Sequence, residues 1–294
     1  MARHLRLEYE GAIYHVTVRS NGREALFGDD QDRLYLLSRI RESAELHAIR
    51  VYLFCFMENH FHLVVETPKG NLGRFMQSIL TGYTVYFNLR HRRHGHVTQG
   101  RYGARVVSGD EYLLKLSRYV HLNPVHVKGL KRKPVGERLA ALRKHKWSSY
   151  PGYCGIGPRY ELVDEGPILA LAGGSGEGRR EEYRRFVEDG LRTPDEIFEG
   201  EMWRSSRSIG DEKFRGWVDD RHKIMMKGHR HLEDVSFRKE DRKSIGAEII
   251  EDVVAKACGV DVRELKKARR NLPLKGIAGM MLIKYGNMTQ REAA

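Results

Sequence analysis

The amino-acid sequence predicts an α+β fold, in which an antiparallel sheet with helices on one face is followed by a mostly helical C-terminal region. Two observations lead to this class. Strand-like and helix-like patterns alternate over the first half of the chain in the order β-α-β-β-α-β-α, and helix-like patterns dominate the second half. The first order is that of the ferredoxin-like split βαβ arrangement.

The strands are predicted from runs of β-branched and aromatic residues. Residues 12–20 end at an Asn-Gly turn, and residues 50–57 and 61–66 form two strands separated by a short polar turn. Residues 96–108 predict a fourth strand that is irregular or bulged.

The helices of the first half are predicted from apolar residues at helical spacing. Residues 29–47 carry acids in the first turn, residues 71–91 begin after Asn71 as a plausible cap, and residues 110–124 end at Pro124.

The length of 294 residues is about twice that of a typical domain, which indicates one catalytic-sized unit and a smaller appendage. We predict a first domain over 1–155, a helical extension or linker over 156–243, and a segment of two or three short helices over 244–294. The glycine-rich stretch 171–180 is either a linker or a long surface turn. It lacks the Lys-Ser/Thr of a phosphate-binding loop.

Composition excludes several classes of protein. Mean hydropathy is −0.56, and the longest apolar runs are too short to span a bilayer. The N-terminal residues lack the apolar core of a secretory signal. The three cysteines, Cys55, Cys154 and Cys258, form no CxxC pair, which argues against a disulfide framework and a cysteine zinc site. The sequence therefore predicts a cytoplasmic location and no membrane partner.

The net charge of +13 is concentrated in one segment. Residues 90–146 hold 15 basic and 3 acidic residues, whereas the two charge types nearly balance on either side. Such a concentration predicts a polyanionic partner, and a solvated basic face is the alternative. The candidate DNA-binding residues are Arg92, Arg93, Arg101, Arg105, Arg118, Lys131 and Arg132.

Two closely spaced histidines are the first candidate site. His60 and His62 lie at the start of the strand predicted over 61–66, and residues i and i+2 of a strand share a face, so both imidazoles could reach one ion. Two histidines on an exposed strand face are more often without a metal, and that alternative stays open here. Imidazole favours zinc, manganese or nickel over magnesium, and a hard ion would also need oxygen ligands.

Tyr119 and Asn123 are four residues apart in the helix predicted over 110–124, so they share a face. A phenol is a weak nucleophile at neutral pH because its unperturbed pKa is about 10, and a nearby divalent ion would ease its attack on a phosphate. Asn123 precedes Pro124, which disfavours helical geometry at that residue. Glu66 is the next candidate for a third metal ligand.

Tyr119 is preferred over the other tyrosines because Arg118 precedes it, an amide follows one turn later, and it lies at the centre of the basic segment. A core tyrosine with a satisfied hydroxyl is the alternative for Tyr119 itself. The competing candidates for a nucleophile are Tyr112, Tyr83 and Tyr86.

Four motifs in this order resemble the REP-associated tyrosine transposases, relatives of the small HUH-class single-strand transposases. The motifs are MENHFHLVVETP (57–68), QGRYGARVV (99–107), RYVHLNPV (118–125) and KWSSYPGY (146–153). The resemblance covers roughly residues 9–155. Residues 160–240 look like the region that follows the catalytic domain in longer members.

The resemblance implies a ferredoxin-like domain that cleaves single-stranded DNA at hairpin elements and leaves a 5′-phosphotyrosine and a free 3′-hydroxyl. It implies that His60 and His62 are the HUH pair, Tyr119 the nucleophile and Asn123 the polar third ligand of Mg²⁺ or Mn²⁺. Single-stranded or hairpin DNA is then the expected partner, in a nucleoid-associated bacterial protein, and a homodimer is a candidate assembly.

Residues 244–294 are similar to the helix-turn-helix DNA-binding domain of the bacterial replication initiator. The sequence departs from that family at residues 288–294, where its recognition helix would begin. Major-groove recognition by this segment is therefore not implied.

Two other function classes are weighed against the transposase. A ferredoxin-like sheet could bind nucleic acid without catalysis by stacking bases on Tyr14, Tyr52 and Phe54. A metal phosphodiesterase could use water as its nucleophile. The residues alone, without the resemblance, predict metal-assisted nucleic-acid processing.

Overall fold

The computed structural model describes residues 6–176, 178–229, 245–265, 273–285 and 288. The described residues up to His229 form one compact unit, and those from residue 245 onward form a second. Residues 266–271 of one predicted C-terminal helix lie outside the described residues. So do residues 289–294, which belong to the stretch where the sequence departs from the replication-initiator family.

The strands of the first unit are β1 (Ala12–Arg19), β2 (Arg50–Phe56), β3 (His60–Thr67), β4 (Gly103–Val107) and β5 (Ser208–Ile209). Its helices are α1 (Asp30–His47), α2 (Leu72–Arg90), α3 (Gly109–Leu122), α4 (Val135–Lys144), α5 (Tyr150–Tyr153), α6 (Gly166–Leu171), α7 (Gly178–Asp189), α8 (Glu196–Trp203) and α9 (Glu212–His229). The predicted order of elements in the first half is confirmed.

The sheet has the strand order β2-β3-β1-β4-β5. The first four strands pair antiparallel, in the order that a ferredoxin-like fold requires. β5 pairs with β4 in parallel, so the sheet is mixed. The α+β class is confirmed, and the parallel fifth strand is an addition that the sequence pattern did not predict.

Helices cover both faces of the sheet, not one face as expected. On one face, Phe61 of β3 packs against Phe56 and the aromatic cluster that includes Tyr83 of α2. Successive residues of a strand point to opposite faces. His62 therefore points to the other face, where its ring lies 6.4 Å from that of Tyr119 on α3. α3 thus lies across the sheet from α2.

The helix ends show how the local sequence sets the boundaries. Asp29 caps α1 by accepting hydrogen bonds from the backbone N–H groups of Gln31 (3.0 Å) and Asp32 (3.2 Å). Asn71 precedes α2 as predicted but makes no capping bond with its side chain. Its amide instead donates to the carbonyl of His47 at 2.9 Å, which ties the two helices together.

The segment after residue 155 packs on α3 within the first unit. Tyr183 of α7 is buried, and its hydroxyl lies 2.7 Å from Nδ1 of His121 and 2.9 Å from the hydroxyl of Ser117. Arg118 donates to Asp195 at 2.7 Å. These contacts fasten the helix that carries Tyr119 to the extension.

The glycine-rich stretch is a turn between α6 and α7. Gly173, Gly174 and Gly176 have φ values of 89°, 75° and 53°, a region that side chains with a Cβ rarely adopt. The alternative of a surface turn is therefore the one that the structure adopts.

The described part of the second unit contains α10 (Ala247–Cys258), α11 (Val262–Leu265) and α12 (Pro273–Tyr285). Ile250 and Val254 of α10 pack against Ala278 and Leu282 of α12 in a small apolar core. Within the ranges described, no helix has the length and apolarity that a bilayer crossing needs.

Candidate active site

The register of the sheet places three side chains beside the histidine pair. β1 and β3 are antiparallel, with Arg19 opposite His60 and Thr17 opposite His62. His15 lies two residues before Thr17 on the same face. The site is therefore built on two adjacent strands rather than on β3 alone.

His62 is buried, with 5% of its surface exposed, so the expectation of two histidines on an exposed strand face is wrong for this residue. Its Nδ1 lies 2.9 Å from Nε2 of His15. Its Nε2 is buried and has no hydrogen-bond partner. His60 is half-buried, and its Nδ1 lies 2.8 Å from Oδ1 of Asn59. Each imidazole thus has one nitrogen held by a neighbour and a second nitrogen uncommitted.

Burial keeps these imidazoles neutral at physiological pH. Desolvation, helped by the charge of Arg19, lowers the pKa of His60 to about 4. Desolvation and Arg105 lower the pKa of His15 to about 3, and burial lowers that of His62 well below its usual range. A neutral imidazole keeps a lone pair, which a metal ligand needs.

Tyr119 lies over the two buried histidines. Its ring centroid is 6.4 Å from those of both His15 and His62, and both contacts are edge-to-face. The tyrosines that competed with it in the sequence are engaged elsewhere. The hydroxyl of Tyr83 donates to the carbonyl of Leu26, that of Tyr112 donates to Glu201, and Tyr86 stacks on Tyr35.

The environment of Tyr119 does not favour the phenolate. Burial raises the pKa of its hydroxyl, and the positive charge of Arg105 opposes that shift. Arg105 is itself partly buried, and Nη2 of its guanidinium lies 3.3 Å from Nδ1 of His15. The phenol is therefore protonated at neutral pH unless a further positive charge approaches it.

Asn123 adopts helical backbone angles in spite of the following proline. Its φ and ψ are −51° and −41°, and a 3₁₀ turn over Asn123–Val125 continues directly from α3. Its side-chain amide donates to the carbonyl of Tyr119 at 2.9 Å. Because the nitrogen is held by the helix, the amide oxygen is the atom left to act as an acceptor.

These side chains meet in a cleft of about 450 Å³. It brings together six residues of the predicted site: His60, His62, Tyr119, Asn123, Arg101 and Arg105. It also contains residues that sequence reasoning did not select, namely His15, Thr17, Arg19, Gln99, Trp203, Ser205 and Ser206.

The donor set of the cleft fits a divalent ion with oxygen ligands. Among the residues the structure describes, no three His, Cys, Asp or Glu side chains cluster as a metal site would require. The protein offers the orphaned Nε2 of His62, the uncommitted nitrogen of His60 and the amide oxygen of Asn123. With an ion on Nε2, His62 would carry its proton on Nδ1 and donate it to Nε2 of His15. His15 would then carry its own proton on Nδ1, and Arg105 would have to release that nitrogen. Phosphate or water would supply the remaining oxygens.

Glu66, the reserve candidate for the third ligand, lies away from the cleft. It accepts a hydrogen bond from the hydroxyl of Tyr52 and pairs with Arg50 at 3.4 Å. Asn123 is therefore the better-placed oxygen ligand.

Only part of the predicted basic set reaches the cleft. Arg118 forms its ion pair with Asp195 with little exposure, and Arg93 pairs with Glu24 at 2.6 Å. Arg92, Lys131 and Arg132 are exposed but do not line the cleft.

The missed residues had weak sequence signals. His15, Thr17 and Arg19 alternate with buried apolar residues in β1, but nothing in the sequence fixes the register that sets them beside the histidine pair. Trp203 comes from a segment 80 positions beyond Asn123. Long-range contacts bring that segment back, among them the pairing of β5 with β4 and the hydrogen bond from Arg105 to the carbonyl of Met202.

Comparison with known proteins supports the transposase resemblance of the first part of the chain. Residues 8–123 match the model of a family described as IS200-like transposases. The match includes the histidine pair, Tyr119 and Asn123, and it supports a transposase function. No curated protein matches the chain significantly in sequence.

Two solved structures show weak similarity to this chain. One is described as a REP-associated tyrosine transposase bound to a REP hairpin, with a TM-score of 0.44 and 15% identity, over 56% of this chain and 94% of that one. The other is described as a candidate transposase from Deinococcus radiodurans R1, with a TM-score of 0.29 and 15% identity, over 41% of this chain and 94% of that one.

The structure disfavours base stacking on the sheet itself. Tyr14, Tyr52 and Phe54 are all buried, so none presents a ring face to a ligand. The non-catalytic alternative loses the residues on which it depended.

Proposed function

We propose that this protein is a metal-dependent single-strand DNA endonuclease and strand transferase in which Tyr119 is the nucleophile. The observation that carries the proposal is the placement of Tyr119 over His62, whose Nε2 is buried without a partner in the same cleft. A buried nitrogen with no partner is costly unless a ligand completes it.

In the proposed step, the hydroxyl oxygen of Tyr119 attacks the scissile phosphorus. A bond forms between phosphorus and the phenolic oxygen, and the bond from phosphorus to the 3′ oxygen breaks. The phenol loses its proton, and the departing 3′ oxygen gains one and becomes a free hydroxyl. The DNA strand stays attached through a 5′-phosphotyrosine, which a second 3′-hydroxyl can attack to join two strands.

The residues of the cleft would have different roles in this step. His60, His62 and Asn123 would hold Mg²⁺ or Mn²⁺, which supplies charge that polarises the phosphate and favours the phenolate. Arg105 faces Tyr119 closely enough to lower the pKa of the phenol. The same guanidinium is suited to hold a non-bridging phosphate oxygen.

The substrate class follows from charge and from the transposase-like motifs. Arg19, Arg101 and Arg105 line the cleft, so a phosphate backbone would meet positive charge at the point of cleavage. Hairpin-forming repetitive DNA is the target that the motifs suggest.

Covalent capture tests the proposal. The protein is incubated with Mn²⁺ and a hairpin oligonucleotide that is labelled on its 3′ side, and then separated by denaturing electrophoresis. We expect a labelled protein band that Tyr119→Phe abolishes. Tyr112→Phe is the matched control, because Tyr112 lies outside the cleft, and it should keep the band.

The same assay separates the alternatives. A metal phosphodiesterase that uses water would cut the oligonucleotide without forming the band, and Tyr119→Phe would still cut. A protein that only binds DNA would give neither product. Either result would overturn the proposed function.

A further inference from the structure

Part of the wall of the cleft comes from outside the transposase-like segment. The matched segment ends at residue 123, yet Trp203, Ser205 and Ser206 line the same cleft as His60 and Tyr119. The extension therefore contributes to the site and does not merely follow it along the chain.

The position of Trp203 is fixed by its neighbours. Phe198 and Met202 of α8 are buried in the core, and the carbonyl of Met202 accepts a hydrogen bond from the guanidinium of Arg105. Directly after α8, β5 pairs in parallel with β4, with backbone bonds of 2.8 Å at Val106 and Ser108. Trp203 is thus held at the edge of the cleft from both sides.

Trp203 is nevertheless 62% exposed, although tryptophan side chains are highly buried on average. The guanidinium of Arg105 lies 4.8 Å from the ring centroid and covers one face. The exposed area therefore belongs largely to the opposite face and edges of the ring. The cleft also contains Arg19, Arg101 and Arg105. Proteins hold single-stranded nucleic acid by this combination of an open aromatic face and nearby arginines.

We propose that Trp203 is a stacking platform for one base of the single DNA strand, next to the phosphate that Tyr119 attacks. This inference rests on the proposed function and adds a residue that positions the substrate. The arginines hold the backbone, and the indole holds a base, which fixes the register of the strand over Tyr119. Stacking tolerates every base, so Trp203 sets position rather than sequence.

The competing explanation is that the indole only covers the guanidinium of Arg105 and shields it from solvent. In that case an aliphatic side chain of similar bulk would serve equally well, and the loss of a base from the DNA would not matter. The two explanations differ in whether the energetic partner of Trp203 is a base.

The test uses Tyr119→Phe protein, which binds without cutting, and a fluorescent hairpin oligonucleotide with single-stranded flanks. Trp203→Leu should weaken binding by about 5-fold to 150-fold, the range for one stacked base, whereas Trp203→Phe should retain most of the affinity. Trp217→Leu is the matched control. Trp217 is also a partly exposed indole, with the guanidinium of Arg221 5.3 Å from its ring, but it does not line the cleft.

A second measurement identifies the base. A series of the same oligonucleotide carries one abasic position at a time, and one position in a flank should weaken binding to the protein that retains Trp203. In the Trp203→Leu protein the same abasic change should weaken binding by less than about twofold, because the indole on which the base would stack is already absent. Non-additivity of this kind reports a direct contact.

The outcomes are distinct. Equal affinity of the proteins with and without the Trp203→Leu substitution, or an abasic cost that persists in Trp203→Leu, would overturn this inference alone. Failure of the Tyr119→Phe protein to bind any single-stranded DNA would overturn the proposed function, and this inference with it.

Discussion

The buried hydroxyl of Tyr183 should stabilise the helix that carries the nucleophile. The hydroxyl contacts Ser117 and His121, both of α3, at 2.9 and 2.7 Å. Tyr183→Phe removes this hydroxyl. Because the site is buried, no water can take its place as a hydrogen-bond partner of Ser117 and His121. The cost of leaving a buried polar group unsatisfied is about 1–3 kcal/mol.

That cost converts into a shift of the melting temperature. With an unfolding entropy of about 2.1 cal/mol/K per residue, a unit of this size loses roughly 2 °C for each kcal/mol. Tyr183→Phe should therefore melt about 2–6 °C below the parent protein. The transition of the first unit is followed by differential scanning calorimetry.

Tyr160→Phe is the matched control. Its hydroxyl also donates one hydrogen bond, at 2.8 Å to the carbonyl of Lys146, but the bond is solvent-exposed, so water can replace it. This variant should melt within about 1 °C of the parent, because substitutions at exposed sites rarely exceed about 0.5 kcal/mol. Equal melting temperatures for Tyr183→Phe and Tyr160→Phe would show that the extension does not stabilise α3 through this contact.

Three further predictions concern the site and its charge. Asn123→Ala should reduce cleavage by weakening the affinity for Mn²⁺, and more Mn²⁺ should recover part of the lost rate, whereas Asn123→Asp should retain the metal. A Mn²⁺ concentration for half-maximal cleavage equal to that of the parent would remove Asn123 from the site. His60→Ala and His62→Ala should both abolish cleavage. His62→Ala should also lower the melting temperature because His62 is buried. Unequal losses of cleavage activity in the two variants would contradict a shared ion. Charge reversal at Lys131 and Arg132 should flatten the salt dependence of DNA binding by about 0.7 per lost phosphate contact, and an unchanged slope would mean that these exposed residues face away from DNA.

The local elements could be predicted from the sequence because their causes are local. The alternation in β1 and the acidic first turn of α1 gave boundaries within a residue or two of those observed. The histidine pair and the helical spacing of Tyr119 and Asn123 are also local patterns, and the fold brings all four residues to one cleft.

The rest depends on contacts between distant segments. The pairing of β1 with β3 sets His15 beside His62, and the parallel pairing of β5 with β4 sets Trp203 at the cleft. Neither register has a signature in the sequence. Arg118 looked suited to DNA because it precedes Tyr119, but adjacent helical residues point in different directions, and Arg118 pairs with Asp195.

Mass spectrometry of the protein–DNA adduct tests the central claim most directly. After reaction with a hairpin oligonucleotide and Mn²⁺, the protein is digested with a protease and a nuclease, and the nucleotide-bearing peptide is sequenced. We predict a single nucleotide attached through its 5′-phosphate to Tyr119, in a peptide containing RYVHLNPV (118–125). An adduct on another residue, or attachment through a 3′-phosphate, would contradict the assignment of Tyr119 as the nucleophile.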